Sequence, residues 1–294
     1  VDTEAGAKFE EWERGKQLSN ALNTVRSAKD FFFPQTENLM DFQVEGKKIS
    51  VIDTRKECED FIIFGARACD VRSFTVLDRV FLAEPVDTYY QNRREHGIIV
   101  SMACTRPQET CFCQTFAIDP AEPEGDVVCY RTEDAMYFLA KTEKGEAMLA
   151  AVSDLTEDSD GAAVEAQKNT IRERMEKLPL ASLRADAFGK DKTKEFFDAP
   201  EWKELSETCL GCGTCTFVCP TCQCYDIKDF NTGHGVRRFR CWDSCMYSDF
   251  TKMSASWSVF GSDSCISWFT IRPTTTDCSP VWGAAAVWQS ARSR

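Results

Sequence analysis

Four cysteines in the last third of the sequence have the spacing C-x2-C-x2-C-x3-C-P; they are Cys209, Cys212, Cys215 and Cys219. Thiolates at this spacing are ligands of a 4Fe-4S cluster, because two-residue gaps let one tight loop direct three sulfur atoms at three irons. Gly211 and Gly213 relieve steric demand where the backbone wraps the cluster, and Pro220 turns the chain away. A zinc ribbon would instead need two separated pairs of cysteines. The spacing therefore predicts a 4Fe-4S site at these four cysteines.

The fourth cysteine of this run raises a question of ligation, because in two-cluster ferredoxins it binds the other cluster. Cys219 would then serve a second cluster, and the first three cysteines would need a thiolate from elsewhere. The sequence contains no second C-x2-C-x2-C triplet. Four further thiols follow closely and would either supply ligands, bind another cluster or line the pocket as buried thiols; they are Cys222, Cys224, Cys241 and Cys245.

Three arginines, Arg237, Arg238 and Arg240, precede Cys241. A cluster held by four thiolates has a net negative charge, so cations beside it would offset the cost of burying it. We expect these arginines either to have this role or to form an ordinary solvated basic face.

A second group of candidate ligands lies in the first half of the sequence and consists of Cys69, Cys104, Cys111 and Cys113. The first two follow the predicted strands at residues 61–64 and 97–102, and the other two lie in the next loop. Loops at one edge of a sheet would bring all four thiols together. Either they bind a further cluster or they are unligated structural thiols. Cys58 and Cys129 have no such context.

The composition excludes several classes of protein. The 294 residues include 35 Lys and Arg against 47 Asp and Glu, and the net charge of −12 argues against a general binder of nucleic acid or membrane surfaces. No apolar run approaches the roughly 18 residues of a transmembrane helix, and no signal peptide is recognised. Sixteen cysteines without a secretory signal favour metal binding over disulfides. Because nucleotide-binding and hydrolytic motifs are absent from the sequence, we predict no catalytic residues and a role in conducting electrons.

The hydrophobic pattern predicts the order of the domains. Short β-rich runs at residues 48–52, 61–64, 97–102, 127–130 and 136–140 alternate with turns, and residues 71–82 are typical of a helix. Helices are also predicted at residues 162–178 and 192–207, and a polar, helix-prone lead at residues 1–30. We predict an α+β or α/β domain over residues 1–150, a helical connector over 151–207 and an α-helical ferredoxin-like 4Fe-4S module over 208–253. The sequence begins with Val1, which suggests a fragment or a processed product.

Several motifs occur in the order found in one known family. They are F-F-F-P-Q-T-E at residues 31–37, F-G-A-R-A-C-D at 64–70, T-C-F-C at 110–113, the cysteine run at 209–220, and R-C-W-D-S-C-M-Y-S-D-F at 240–250. Together they resemble the 4Fe-4S dicluster family that contains the electron-transfer subunit of anaerobic sulfite reductase and the beta subunit of the sulfhydrogenases. The resemblance extends over roughly residues 28–253, and no second cluster motif of the family is matched.

The resemblance implies a cytoplasmic electron-transfer subunit of an anaerobe, itself non-catalytic. Such subunits relay electrons between a flavin- and NAD(P)-binding partner and a catalytic reductase or hydrogenase subunit. Cys209, Cys212, Cys215 and Cys219 correspond to the family's first cluster motif. An alternative is an iron-sulfur module that senses redox state or has a structural role in docking.

The last segment, residues 254–294, has an aberrant composition. Only five of its 41 residues are charged, whereas 28% of the whole chain is charged, and it contains four of the seven tryptophans. In a shifted reading frame, codons from Pro280 onward can encode C-V-G-C-G-R-C-V-A-K-C-P, which is a second cluster motif. We therefore interpret this tail as a frameshift product, and the alternative is a divergent C-terminal extension.

Overall fold

The structure is a computed structural model that describes residues 26–185, 199–247 and 250, together with residues 2, 3, 6, 7, 11, 13, 14, 18 and 24. The tail at 254–294, most of the predicted lead and residues 186–198 of the predicted connector lie outside the described residues. Within the described ranges, no helix is long and apolar enough to cross a membrane.

The strands and helices of the described residues, in chain order, are β1 (Asp2–Thr3), β2 (Gly6–Ala7), β3 (Thr36–Glu45), β4 (Lys48–Asp53), β5 (Phe61–Ala66), α1 (Ala68–Phe81), α2 (Thr88–His96), β6 (Gly97–Met102), β7 (Val127–Arg131), β8 (Met136–Ala140), α3 (Glu143–Ala150), α4 (Ala162–Glu176), α5 (Glu201–Ser206), α6 (Thr214–Val218), β9 (Tyr225–Asn231) and β10 (Gly235–Trp242). Short 3-10 helices occupy Ala28–Phe31, Thr54–Glu57, Cys113–Phe116 and Ser153–Leu155. The five strands predicted from the sequence correspond to β4 to β8, and the helices predicted at 71–82 and 162–178 correspond to α1 and α4.

The chain divides into two compact units with interleaved segments. Unit 1 comprises Val1–Phe32, Glu59–Val86 and Tyr90–Ala185, and unit 2 comprises Phe33–Cys58, Asp87–Tyr89 and Asp186–Arg294. This division follows spatial contacts, whereas the predicted domains follow the order of the sequence.

Unit 1 is built on a sheet of order β5-β6-β7-β8, in which β5, β6 and β7 are parallel and β8 is antiparallel. The continuous apolar run of β6 is typical of a strand covered on both faces, and most of its residues are buried. Helix α4 packs into the same unit, because Ile171 and Met175 share a core cluster with Val128 and Tyr130 of β7. Parallel neighbours require crossover connections, and the connections after β5 and β6 carry the first group of cysteines.

Unit 2 is built on an antiparallel sheet of order β4-β3-β10-β9. Trp242, at the end of β10, is buried and packs on Phe33 and on Phe217 of α6, with both pairs of ring centroids 5.8 Å apart. Aromatic contacts of this kind add to the energy of apolar burial. They anchor the cysteine-rich helix α6 to the sheet.

The α-helical character predicted for residues 208–253 is not confirmed. The described part of this segment contains the five-residue helix α6 and the two longer strands β9 and β10. The turn between these strands contains Gly233 at φ +84°, and its N–H donates to the Asn231 side chain at 2.8 Å. Alternating residues on either side of an Asn- and Gly-containing turn favour a hairpin, so a mixed α/β fold with two main sheets is the correct description.

Candidate iron-sulfur sites

The cysteine run forms a loop that leads into α6 of unit 2. Gly211 and Gly213 have φ of +63° and +70°, in the left-handed region that favours glycine. A Cβ atom at Gly213 would lie 2.7 Å from the ring of Tyr247, whereas one at Gly211 would meet no atom within 4 Å. Glycine at 213 therefore allows both the turn of the backbone and the close approach of an aromatic ring.

We expect Gly213→Ala to weaken retention of a cluster more than the matched change Gly211→Ala. Both place alanine at positive φ, which costs about 1–2 kcal/mol, but only the alanine at 213 also meets the Tyr247 ring. The measurement is the rate at which an iron chelator bleaches the anaerobically prepared protein. Equal rates for the two variants would show that the contact with Tyr247 does not matter.

Three cysteines of the loop and Cys245 form one group of interacting thiols. The pKa of the Cys215 thiol is raised to about 12, first by burial and then by charge on Cys245, with smaller effects of Cys209 and Cys212. Cys209 and Cys212 are exposed, while Cys215 and Cys245 are half-buried. The sequence left open which distant thiol joins the triplet, and Cys245 is the distant thiol that raises the pKa of Cys215.

The segment that follows β10 holds Cys245 beside the loop. The hydroxyl oxygens of Thr216 in α6 and of Ser244 lie 2.9 Å apart, and both side chains are buried. The hydroxyl of Tyr247 donates to the backbone carbonyl of Cys212 at 3.4 Å. Because Ser244 and Tyr247 flank Cys245 and both contact the loop, they fix the thiol that lies between them.

The other candidate thiols of unit 2 lie around this group. Cys219 is fully buried, and its sulfur lies 3.3 Å from the hydroxyl oxygen of Thr221. Cys222 and Cys224 are half-buried between α6 and β9, and Cys241 lies within β10.

The three arginines of β10 form ion pairs within unit 2. The pairs are Arg237 with Asp41, Arg238 with Asp229, and Arg240 with both Glu37 and Asp87. These carboxylates neutralise the guanidinium charges locally. The expectation that the arginines also offset the charge of a cluster stays a prediction.

The first group of candidate thiols gathers in unit 1, near the carboxyl ends of β5 and β6. A hydrogen bond with Cys113 is the largest cause that raises the pKa of Cys69 well above its ordinary value, and the same bond lowers the pKa of Cys113. Burial is the main cause that raises the pKa of Cys104 to about 12, and charge on Cys111 and Cys113 acts in the same direction. The segments that carry them pack together, because Arg67 donates to the Ala103 carbonyl and Cys111 and Cys113 pack against the core cluster that contains Ala103.

Both groups consist of soft thiol donors, which suit an iron-sulfur cluster. Among the described residues, no three or more His, Cys, Asp or Glu side chains converge closely enough to hold one metal ion. A 4Fe-4S cluster makes a different demand, because each of its four thiolates binds a different iron. Soft thiolates are also the donors that iron-sulfur clusters take, whereas hard cations such as Mg²⁺ prefer oxygen.

A thiolate loop of this spacing on a mixed α/β fold defines an iron-sulfur protein. The family model of the 4Fe-4S dicluster domain matches residues 208–265. Sulfhydrogenase 2 subunit beta of Pyrococcus furiosus is 31% identical over 248 residues, an alignment that covers 81% of this chain and 70% of that protein. No solved structure matches the chain significantly. The chain belongs to the 4Fe-4S dicluster family that includes the sulfhydrogenase beta subunits, as its motifs predicted.

Membership of this family identifies the cofactor and the general role. The chain carries 4Fe-4S clusters and is an iron-sulfur electron-transfer subunit of an oxidoreductase. The family match extends past residue 254, where the aberrant segment begins, and ends at residue 265. A frameshift in residues 254–294 stays a prediction, since these residues lie outside the described part of the chain.

Proposed function

We propose that this chain relays electrons within a cytoplasmic complex, from a flavin- and NAD(P)-binding partner to a catalytic hydrogenase or reductase subunit. The observation that carries the proposal is the thiol loop at 209–219, which the dicluster family model matches and which Cys245 approaches. The name of the Pyrococcus furiosus relative, a sulfhydrogenase beta subunit, supports a hydrogenase-type protein as one partner.

The proposed ligands of the first cluster are Cys209, Cys212, Cys215 and Cys245. The interaction of Cys215 with each of the other three thiols supports this set. Cys219 would serve a second cluster, as the last cysteine of such a run does in two-cluster ferredoxins. The full burial of Cys219 supports this role, because a second cluster would lie behind the loop rather than at its exposed face.

Electron relay predicts reversible reduction by a flavoprotein. Anaerobically prepared full-length protein is mixed with NADPH and a catalytic amount of a flavin-containing reductase, and absorbance of the clusters is followed. We expect bleaching that an oxidised dye of higher potential than NADPH reverses, because a relay centre must both accept and release electrons. The same mixture without the reductase is the control, since NADPH alone transfers a hydride and not single electrons.

Failure of the clusters to exchange electrons with either reagent would contradict the relay. Clusters that only dithionite reduces, and whose reduction changes the affinity of the chain for a partner subunit, would support the alternative of a redox-sensing or docking module.

A further inference from the structure

The backbone of unit 1 brings two cysteines from separate strands to one edge of the sheet. Ala66 of β5 pairs with Ser101 of the parallel strand β6. Cys69 and Cys104 each follow their paired residue by three positions. Parallel strands have their carboxyl ends at the same edge, where binding sites of α/β sheets commonly lie. The Arg67 guanidinium, which donates to the Ala103 carbonyl at 3.4 Å, links the two connections.

The long connection between β6 and β7 folds back over this edge with the other two cysteines. The backbone N–H of Cys104 donates to the carbonyl of Pro120 at 3.0 Å, which closes the connection on itself. Cys113 begins a 3-10 helix, and its carbonyl accepts from the N–H of Ile118 at 3.1 Å. Cys111 receives a backbone N–H from Gln108 on its sulfur at 3.3 Å. Cys111 and Cys113 also pack against the buried core of unit 1, so the connection is held in place.

The four cysteines come from three separate segments that pack together. Cys111 and Cys113 pack against the core cluster that contains Ala103, the residue before Cys104, and the side chain of Arg67, two residues before Cys69, donates to the Ala103 carbonyl. Structural thiols that merely fill a core behave as small hydrophobes and need not gather. Four gathered thiols instead form a donor set of soft ligands.

Burial makes negative charge costly at this place, since it raises the pKa of the neighbouring Asp70 carboxyl to about 6, and two features offset part of that cost. Cys69 lies in the first turn of the fourteen-residue helix α1, whose N-cap residue Arg67 makes no side-chain cap hydrogen bond. Helix N-termini stabilise thiolates and other anions. The Arg67 guanidinium, which donates to the Ala103 carbonyl, also places positive charge beside the connection that contains Cys104. A cluster with four thiolates carries net negative charge and would be stabilised by both effects.

We propose that Cys69, Cys104, Cys111 and Cys113 bind a further 4Fe-4S cluster in unit 1. This cluster is additional to those of the C-terminal module and does not depend on the relay proposed above. A single zinc ion is a poorer occupant, because it needs four sulfurs around one point at about 2.3 Å, and the described residues hold no such convergence. The chain would then carry redox centres in both of its compact units.

The test uses full-length protein prepared anaerobically, with iron, acid-labile sulfide and zinc measured per chain. The double variant Cys69→Ser/Cys113→Ser should contain about four irons and four sulfides fewer than its parent. The same loss of iron and sulfide should appear when the double substitution is made in a protein that already lacks the cluster ligands Cys209, Cys212 and Cys215. The control Cys58→Ser should leave the iron content unchanged, because this half-buried thiol belongs to unit 2.

A second measurement covers the case in which the double variant fails to fold. In the unmodified protein, alkylation of each cysteine is followed by mass spectrometry before and after an iron chelator is added. We expect the four thiols to be protected until iron is removed, whereas labelling of Cys58 should not change. Equal labelling in both states, an unchanged iron content in the folded double variant, or one zinc per chain in place of the iron would each overturn the proposal. A protein that fails the electron-relay experiment would still give the iron and alkylation results expected for this cluster.

Discussion

Replacing Cys212 with alanine is expected to remove the first cluster of the C-terminal module entirely. The residue is one of three thiols that the cysteine run supplies, and we propose that it binds the first cluster together with Cys209, Cys215 and Cys245. A cubane that loses one of its four protein ligands leaves an iron open to solvent and oxygen. The iron content of anaerobically prepared protein should fall by about four irons per chain. Its acid-labile sulfide and the absorbance that dithionite bleaches should fall with the iron.

Two further variants test whether Cys245 is the fourth ligand. Cys245→Ala should cause the same loss as Cys212→Ala, whereas Cys219→Ala should leave the first cluster in place and affect only a second one. The control is Cys129→Ala, which removes a thiol buried in β7 of unit 1. Iron content that is unchanged in Cys212→Ala would refute the site, and a cluster that survives Cys245→Ala but not Cys219→Ala would reassign the fourth ligand.

Replacing Arg240 with alanine is expected to lower the free energy of unfolding by about 3–5 kcal/mol. The side chain is 3% exposed and forms ion pairs with Glu37 and Asp87, which are 5% and 18% exposed. Its guanidinium also lies over the rings of Phe33 and Tyr225, with distances of 5.1 and 5.6 Å to the ring centroids. Without Arg240, two carboxylates with little access to water would have lost their cation. Urea denaturation of the full-length protein, followed by circular dichroism, measures the change.

Arg238→Ala is the matched control because it removes the same side chain from the same strand. Its ion pair with Asp229 is solvent-exposed, with 46% and 49% of the two side chains accessible, and exposed pairs contribute only about 0–1 kcal/mol. If Arg238→Ala and Arg240→Ala lower the free energy of unfolding by the same amount, the buried network around Arg240 does not anchor β10 to β3.

Local sequence patterns determined the chemistry of the loop and much of unit 1. The spacing of Cys209, Cys212 and Cys215 specifies an iron-sulfur loop by itself, because all three ligands lie within seven residues and one turn can direct them. Short β-rich runs bounded by turns predicted β5 to β8, because such runs favour strands. The family motifs predicted the dicluster family, which the comparisons confirmed.

The sequence contained a signal for the β9–β10 hairpin that the cysteine motif obscured. Alternating residues flank a turn with Asn231 and Gly233, yet the expectation of a ferredoxin-like module favoured helices over residues 208–253. β-propensity depends on what a strand packs against. Every residue of β9 is exposed, so this strand has no buried face that would indicate it in the sequence.

Only the tertiary structure decided which distant segments meet. The pairing of β10 with β3 brings together residues such as Arg237 and Asp41, which are 196 positions apart. The same fold brings the residues that flank Cys245 into contact with the cysteine run, and it packs Cys111 and Cys113 against the core cluster that contains Ala103. Pattern and spacing describe interactions between neighbours in the chain, whereas the register of distant strands is set by the burial of a whole sheet face. The identity of the distant thiols therefore depends on sheet packing, which no single stretch of sequence specifies.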